Sequence, residues 1–542
     1  MTHRISLFAS LFPLFVIIVC VRQAHARIPI VISAPPPPSR VDNRTSPSFP
    51  GVINQTGESC ASASSVGYIF NYELNVAKNA SFSDESNSYP YEAVYSFLND
   101  GSSSNGTYDM FIYAWSMIAE NGIVNDTAYG ETDAEATKWP TGYEHYLQGM
   151  SNRVAEIDSL DLRDLQTIDT MRQWLFDHGN GSPAGGTFLF TASMFAILET
   201  TLEEEPEAGM HVIHSFGTDP SKGPHSLTIA GYDDSIRYDW NQDGLVTTDM
   251  DINGDGTVDL RDREKGAFIC ANTWGKSYMD NGFFYAPYRL FFTDCDSGGT
   301  MSGRVYFITV RPQYRPRFAF RFRITHSRRN SIAISMGINP DTAAQAPQYI
   351  RQSRQFRYAG GALPMCGKGK SDQIEIGLDA TDLIDSIGSP DKEANAAWFA
   401  IVDAKTAGGE CTGVDLLDCE SGYSWICDND ERAIVAGTNI FRTVAPVTAA
   451  TAPKPRPYES ARRTIFCDAG GKMRIDIEPS DTRISLFRID GACIAHTTLL
   501  RHGSDHCVTA QPFGRLVSGC YVVQITQPDG KVRYKRFALA GR

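Results

Sequence analysis

The 542-residue chain is poor in positive charge and in long apolar runs, and both shortages narrow its possible functions. It has 49 lysines and arginines against 63 aspartates and glutamates, which gives a formal net charge of −14 at pH 7. Nucleic acid requires a basic surface that releases its counterions, so the composition argues against such a partner. One apolar run stands out, from Ile5 to Cys20, and it is short for a transmembrane helix.

This N-terminal run has the pattern of a secretory signal peptide. A short basic start precedes it, and Ala24, His25 and Ala26 follow it as in a cleavage site flanked by small residues. We therefore expect residues 1–26 to be a signal peptide and the mature chain to have no transmembrane segment. A membrane anchor is the alternative.

Cysteine is scarce and unevenly placed. Of the 12 cysteines, Cys20 lies in the predicted signal peptide, which leaves an odd number. Thiols of exported proteins tend to pair in disulfides, so an odd number leaves one cysteine without a partner to be explained. Cys60 stands far from the others. We expect disulfide bonds in the second half of the chain, which carries Cys366, Cys411, Cys419, Cys427, Cys467, Cys493, Cys507 and Cys520.

Composition and periodicity divide the rest of the chain. Alternating apolar residues, as in QIEIGLDAT and WFAIVDA, predict β-strands, whereas proline-rich stretches predict extended leaders or linkers. The predicted parts are a proline-rich leader at 27–48, a globular domain at 49–311, a β-rich domain at 312–445, a linker at 446–462 and a β-sandwich at 463–542.

Residues 54–64, NQTGESCASAS, place Cys60 at the start of a predicted helix. The apolar residues from Val66 to Leu74 follow near helical spacing, after small polar residues. A thiol attacks a carbonyl as its thiolate, which the positive end of a helix and a nearby base both favour. Cys60 is therefore a candidate nucleophile.

Two strand ends offer partners for this thiol. His225 lies at the mouth of the apolar strand in GPHSLTIAGYDDS, although a buried histidine without a catalytic role is the alternative. A second strand, in KGAFICANTWGKSY, ends at Asn272 and Trp274. A carboxamide can orient an imidazole without carrying charge, and an indole can shield their hydrogen bond from water.

In this order the segments resemble those of papain-like cysteine peptidases. The matching segments are NQTGESCASAS, SSSNGTYDMFIYAWSMIAENGIVNDTAYG, HSLTIAGYDD and ANTWGKSYMDNGFFYAPY, which cover about residues 49–310. The resemblance implies an α+β fold with a two-lobed peptidase domain, one lobe helical and one a β-barrel. Two all-β domains would follow it.

The resemblance also implies catalytic roles. Cys60 would be the nucleophile, His225 the general base and then acid, and Asn272 the residue that orients His225. The side chain of Gln55 and the backbone N–H of Cys60 would form the oxyanion hole. The reaction would be hydrolysis of polypeptide substrates through a thioester, without a catalytic cofactor.

Substrate contacts are implied for Asn105 and Gly106, which would line the cleft, and for Trp274. Two departures from the family pattern keep other functions open: Ala61 replaces an aromatic residue, and Gln55 stands five positions before the cysteine. An inactive papain-like surface adhesin is one alternative. An amidase or transpeptidase acting on cell-wall peptides is another.

An insert at 238–266, YDWNQDGLVTTDMDINGDGTVDLRDREKG, separates His225 from Asn272 and repeats a calcium-loop pattern. Hard oxygen ligands at alternate positions around a glycine are typical of twelve-residue calcium loops. The second repeat offers Asp251, Asn253, Asp255, the Thr257 carbonyl, Asp259 and Asp262. The first offers Asp239, Asn241, Asp243 and the Leu245 carbonyl, and Met250 at its last position requires Asp249 or Asp251 as substitute. We predict one or two structural Ca²⁺ ions, and an acidic surface loop is the alternative.

The end of the chain, from RISLFRIDG to VRYKRFAL, resembles the C-terminal sorting domains of type IX secretion substrates. Gly519, Tyr521 and Lys535 match that pattern. The resemblance implies a bacterial protein, secreted or held at the cell surface, with the secretion machinery as a partner. A carbohydrate- or protein-binding sandwich is the alternative.

Overall fold

A computed structural model of the chain mixes α and β structure, with several β-sheets and few helices, as predicted. The structure describes residues 37–179, 185–203, 207–387, 394–428 and 430–447, and beyond them the backbone of seven strands. The predicted signal peptide, the leader up to residue 36 and residues 448–462 of the predicted linker lie outside the described residues.

The helices lie mainly in the first third of the chain. They are α1 (Cys60–Ser62), α2 (Asn71–Lys78), α3 (Tyr91–Leu98), α4 (Phe111–Asn121), α5 (Asp126–Tyr129), α6 (Tyr143–Gly149), α7 (Thr167–Asp177), α8 (Tyr288–Phe291) and α9 (Leu383–Ser386). Single 3₁₀ turns lie at Asn43–Thr45, Glu85–Asn87, Leu260–Asp262, Cys295–Ser297 and Arg329–Ser331. Within the described ranges, no helix is both long and apolar enough to cross a membrane.

The helix predicted after Cys60 is confirmed and is the central element of this region. A π-helical segment, Ala63–Phe70, joins α1 to α2, and the run ends at Asn79 in the left-handed conformation, with φ of 52°. Every residue from 60 to 75 is buried. A helix that is buried on all sides needs neighbours around it, and the small residues after Cys60 let those neighbours approach closely.

The strands around the predicted peptidase site form one sheet of eight. They are β1 (Arg40–Asp42), β2 (Asn152–Asp161), β3 (Phe188–Thr201), β4 (His211–Gly217), β5 (Pro224–Arg237), β6 (Lys265–Ala271), β7 (Phe283–Pro287) and β8 (Arg304–Pro312). Their order is β1-β5-β6-β7-β4-β3-β8-β2, and β3 also pairs with β5. The strands β5, β6, β7, β4 and β3 therefore close a ring of pairings.

The register of β5 and β6 positions the site. The two strands are antiparallel, and Thr228 lies opposite Ala271. The start of β5, which carries His225, therefore lies beside the chain that leaves the end of β6, which carries Asn272. His225 and Asn272 are 47 positions apart in sequence but adjacent in space.

Two further sheets follow. Their strands are β9 (Phe318–His326), β10 (Ile332–Asn339), β11 (Tyr349–Arg357), β12 (Gln373–Asp379), β13 (Asn395–Ala404), β14 (Gly409–Asp418), β15 (Ser424–Ile426), β16 (Glu431–Ile434) and β17 (Gly437–Pro446). One sheet has the order β11-β10-β13-β17, and the other β12-β9-β14-β15 with β16 on β14. Inward faces of alternating apolar residues explain why these stretches form strands.

One hydrophobic core continues from the helices into these two sheets. Phe97 of α3 stacks on Trp139 with ring centroids 4.5 Å apart, and both rings contact Phe356 of β11. The buried Arg329 lies over Trp139 and donates hydrogen bonds to the carbonyls of Thr137 and Gly360. Polar groups thus also bridge residues before and after position 312.

Disulfide bonds in the second half were predicted, and this is wrong for the four of those cysteines that the structure describes. Cys366, Cys411, Cys419 and Cys427 are free thiols. Burial among core side chains accounts for them, because cysteine packs as a small apolar residue. Cys366, for example, donates to the carbonyl of Gln373 at 2.8 Å.

The last part of the chain contains the strands that alternation predicted. They are β18 (Ile465–Cys467), β19 (Met473–Asp476), β20 (Arg483–Arg488), β21 (Cys493–Thr498), β22 (Cys507–Ala510), β23 (Gly519–Thr526) and β24 (Val532–Leu539). They pair as β18-β19-β22 and β21-β20-β23-β24. The connections between them, and the side chains on which the predicted sorting function depends, lie outside the described residues.

Candidate active site

His225 and Asn272 meet in the structure. The imidazole Nε2 lies 2.8 Å from Oδ1 of Asn272, and both side chains are buried. In the tautomer that satisfies this contact, Nε2–H donates to the carboxamide and Nδ1 is left as an acceptor. The pair can therefore hold a basic nitrogen in a fixed orientation.

Cys60 packs against the same strand. The backbone N–H of Ser226, the residue after His225, lies close enough to the Cys60 thiol to oppose the rise of its pKa. One turn further along the helix, Ser64 donates through its hydroxyl to the carbonyl of Ser226 at 2.8 Å. The first turns of the helix are thus attached to β5 at the residue that follows His225.

Burial sets the charge state of this thiol and imidazole. It raises the pKa of Cys60 to about 11, and the nearby charge of Glu58 acts in the same direction. Burial lowers the pKa of His225 to about 4, although the hydrogen bond to Asn272 opposes the shift. At pH 7 the two groups are a neutral thiol and a neutral imidazole. The imidazole is then free to accept a proton.

Aromatic rings cover the imidazole. Trp274 lies with its ring 4.8 Å from that of His225, and Tyr278 packs edge-on against Trp274 at 5.1 Å. Trp274 is 37% exposed, so its outer face borders solvent. This position agrees with the predicted shielding of the hydrogen bond between His225 and Asn272.

Gln55 lies beside the chain that follows Asn272. Its backbone N–H donates to the carbonyl of Thr273 at 2.7 Å, and its side-chain oxygen accepts from the Thr273 hydroxyl. Its Nε2 donates to the carbonyl of Gly57 at 2.6 Å. One of the two amide hydrogens is engaged in this way, which leaves the other available to an oxyanion.

Tyr68 is a residue of the site that the sequence analysis missed. It lies in the π-helical segment, two turns after Cys60, and is fully buried. Its hydroxyl accepts from the N–H of Ile53 at 2.9 Å and donates to the carbonyl of Asn272 at 3.0 Å. Burial raises its pKa to about 12, which keeps it a donor at working pH. This phenol links the helix of the nucleophile to the segments of Gln55 and Asn272.

The predicted cleft residues Asn105 and Gly106 lie against the segment that precedes the nucleophile. The N–H of Glu58 donates to the carbonyl of Ser103 at 2.7 Å. A side chain at Gly106 would place its Cβ 2.1 Å from the carbonyl oxygen of Glu58, and one at Gly57, whose φ is 54°, would lie 1.9 Å from that of Ser103. Glycine is therefore required on both sides of this contact.

Two more residues that the sequence analysis did not identify hold the loop at 103–106, called the cleft loop below. The hydroxyl of Tyr95 lies 3.0 Å and 2.8 Å from the carbonyl oxygens of Ser103 and Asn105. The carboxylate of Glu135 accepts from the N–H and the hydroxyl of Ser103, both at 3.2 Å. The spacing of the two tyrosines in YEAVYSFL indicates a helix, but it does not indicate that one of them contacts this loop.

The insert folds as two similar loops. In the first, Asp239 accepts from the N–H groups of Asp243 and Gly244, and in the second Asp251 accepts from those of Gly254 and Gly256. Asp255 and Asp259 also form ion pairs with Arg261. Among the described residues, no three His, Cys, Asp or Glu side chains converge as they would around a bound metal ion.

One buried carboxylate closes each loop. Asp262 accepts from the N–H groups of Ile252, Asn253 and Asp259. Glu264 accepts from those of Trp240, Asn241 and Thr247, which are the same three positions of the first loop. Asp249 or Asp251 was predicted as a substitute ligand at the last position of the first loop. In the structure Glu264 makes the loop-closing contacts, because the chain returns to the first loop after completing the second.

Comparison with known proteins gives similarity to solved structures only. No protein-family model and no curated protein matches the chain. The chain is similar to xylellain, a cysteine protease from Xylella fastidiosa, at 15% identity and a TM-score of 0.31, over 50% of this chain and 86% of that one. It is also similar to the bromelain protease from Ananas comosus, at 14% identity and a TM-score of 0.30, over 50% of this chain and 99% of that one.

Proposed function

We propose that the chain is a cysteine peptidase in which Cys60 attacks the carbonyl carbon of a peptide bond. The observation that carries the proposal is the 2.8 Å contact between His225 and Asn272, formed where the helix of Cys60 packs on the strand of His225. A thiol, an imidazole and an orienting carboxamide are the groups that acyl transfer through a thioester requires.

The reaction starts from the neutral pair. His225 Nδ1 accepts the proton of the Cys60 thiol while the sulfur forms a bond to the substrate carbonyl carbon. The carbonyl oxygen becomes an oxyanion, which the N–H of Cys60 and the free amide hydrogen of Gln55 stabilise. The protonated His225 then donates its proton to the leaving amine, and the thioester remains. Water, deprotonated by His225, then attacks the thioester carbon. The C–S bond breaks, His225 returns the proton to the Cys60 sulfur, and the carboxylic acid is released.

The proposal predicts selective labelling of Cys60 by a peptidyl epoxide. The wild-type chain should incorporate one equivalent at Cys60, because His225 activates only the thiol beside it. Peptide mapping by mass spectrometry locates the label, and cleavage of casein is measured on the same sample. A matched control is the partly exposed thiol of Cys295, which should stay unlabelled. Absence of label at Cys60 from a folded chain that also leaves casein intact contradicts the proposal and favours the inactive adhesin.

We also propose that the insert binds Ca²⁺ as a structural ion. Carboxylate and carbonyl oxygens in two loops of like geometry are a donor set that suits calcium. Asp251, Asp255, Asp259 and Asp262 would hold an ion in the second loop, and Asp239, Asp243 and Glu264 in the first. Binding would require these carboxylates to exchange N–H partners for the ion.

Calcium is then expected to raise the melting temperature by several degrees, because an ion bound only by the folded state stabilises it. Calorimetry with Ca²⁺ titrated into the EDTA-treated chain measures the effect and the stoichiometry. Glu264→Gln should lose about one ion equivalent, whereas Asp249→Asn, at an exposed carboxylate, should lose none. An unchanged melting temperature together with no heat of binding would refute the site.

A further inference from the structure

Glu58 is held between the candidate nucleophile and the cleft loop. It stands two residues before Cys60, and its N–H is bonded to Ser103. The Cβ that a side chain at Gly106 would carry lies 3.2 Å from the Cβ of Glu58. Its backbone therefore fixes where the carboxylate starts, beside the loop that carries Ser103 and Gly106.

The carboxylate itself is free to meet a substrate. Its residue is exposed, and within the described ranges it forms no ion pair and no side-chain hydrogen bond. It is the charged side chain whose field acts on the Cys60 thiol. Among the described residues no cation is bound to it, so its negative charge beside Cys60 is unopposed.

A substrate places one side chain close to this charge. When its carbonyl carbon reaches the Cys60 sulfur, the side chain of the residue that contributes this carbonyl extends from the adjacent Cα. That side chain must lie near the residues flanking Cys60, and Glu58 is the charged one there. A lysine or arginine at this substrate position would pair with Glu58 and offset its effect on the thiol.

On this basis, which rests on the proposed peptidase function, we propose that Glu58 selects peptides with lysine or arginine at the residue whose carbonyl is attacked. The backbone of Glu58, and not its carboxylate, makes the contact that holds this segment against Ser103. The carboxylate is therefore not needed for folding. A glutamate that served only as a solvated surface group would leave the preference unaffected.

Two peptides that differ only by arginine or citrulline at this position test the proposal. Citrulline has nearly the shape of arginine without its charge, so the ratio of kcat/KM isolates the electrostatic effect. The wild-type chain should prefer arginine by about fivefold at low salt, the scale of an exposed ion pair. Glu58→Gln should bring the ratio to about one, and Glu58→Lys should favour citrulline.

The controls separate this effect from a general change in net charge. Glu144→Gln removes an exposed carboxylate on α6 and should keep the wild-type ratio. High salt should reduce the wild-type preference, since mobile ions screen exposed charges. A ratio that is the same in wild type and Glu58→Gln overturns the selectivity while leaving the peptidase proposal intact. Failure of the wild type to cleave either peptide, or casein, overturns both.

Discussion

Replacing Cys60 with alanine is expected to lower kcat for peptide hydrolysis by about 10⁴-fold or more, because no acyl-enzyme can form. The folded state should persist, since alanine fills most of the space of a buried cysteine. Initial rates on a fluorogenic peptide measure the activity, and thermal melting checks the fold.

Cys295→Ala is the matched control for this loss. It also removes a thiol from the described residues, but that thiol lies on the turn Cys295–Ser297 and contacts the carbonyl of Gly217. Its activity should equal that of the wild type. Substantial hydrolysis by a folded Cys60→Ala chain would show that another nucleophile carries the reaction.

Replacing His225 with alanine is expected to lower kcat/KM by about 10³-fold or more, since the thiol loses the base that accepts its proton. The pH dependence of wild-type activity tests the role of His225 independently. Because the pKa of His225 is lowered to about 4, activity should hold as the pH falls through 6 and decline only as His225 protonates near pH 4. An acid limb near pH 6.5 would contradict this assignment.

The same shift makes stability depend on pH. The unfolded imidazole has a pKa of about 6.5. Below that pH the unfolded chain binds a proton that folded His225 does not, so its contribution to stability is present above pH 6.5 and is lost as pH falls toward 4. The loss is on the order of 3 kcal/mol by linkage. Denaturant unfolding of wild type and His225→Gln at pH 7 and pH 4.5 measures it, and an equal change in both would assign the loss to other groups.

The sequence predicted the parts of this site that depend on local pattern. A helix after Cys60 follows from apolar spacing, and strands before Asn272 and after His225 follow from runs of β-forming residues. The order of the segments then predicted their convergence. The 2.8 Å contact between His225 and Asn272 agrees with it.

The remaining contacts could not be predicted because they join residues far apart in sequence. Tyr68 is bound to Asn272 across 204 positions, and in sequence it resembles any aromatic residue on a buried helix. Glu264 returns to the first acidic loop from beyond the second. The prediction of disulfide bonds at Cys366 and Cys411 was wrong for a related reason. Whether a cysteine is exposed and paired depends on tertiary packing, which the positions of the cysteines in the sequence do not show.

The aromatic and polar contacts between residues before and after position 312 limit how the chain can be truncated or recombined. Arg329, in the turn before β10, and Phe356 of β11 complete the surroundings of Trp139 and of Phe97, which lies on α3 together with Tyr95. Truncation at residue 311 would open this interior to water and leave the helical half without one wall. Shorter versions and chimaeras should therefore retain the chain through Val447, and exchange of the later sheets by recombination should fail unless the Trp139 surroundings are transplanted with them.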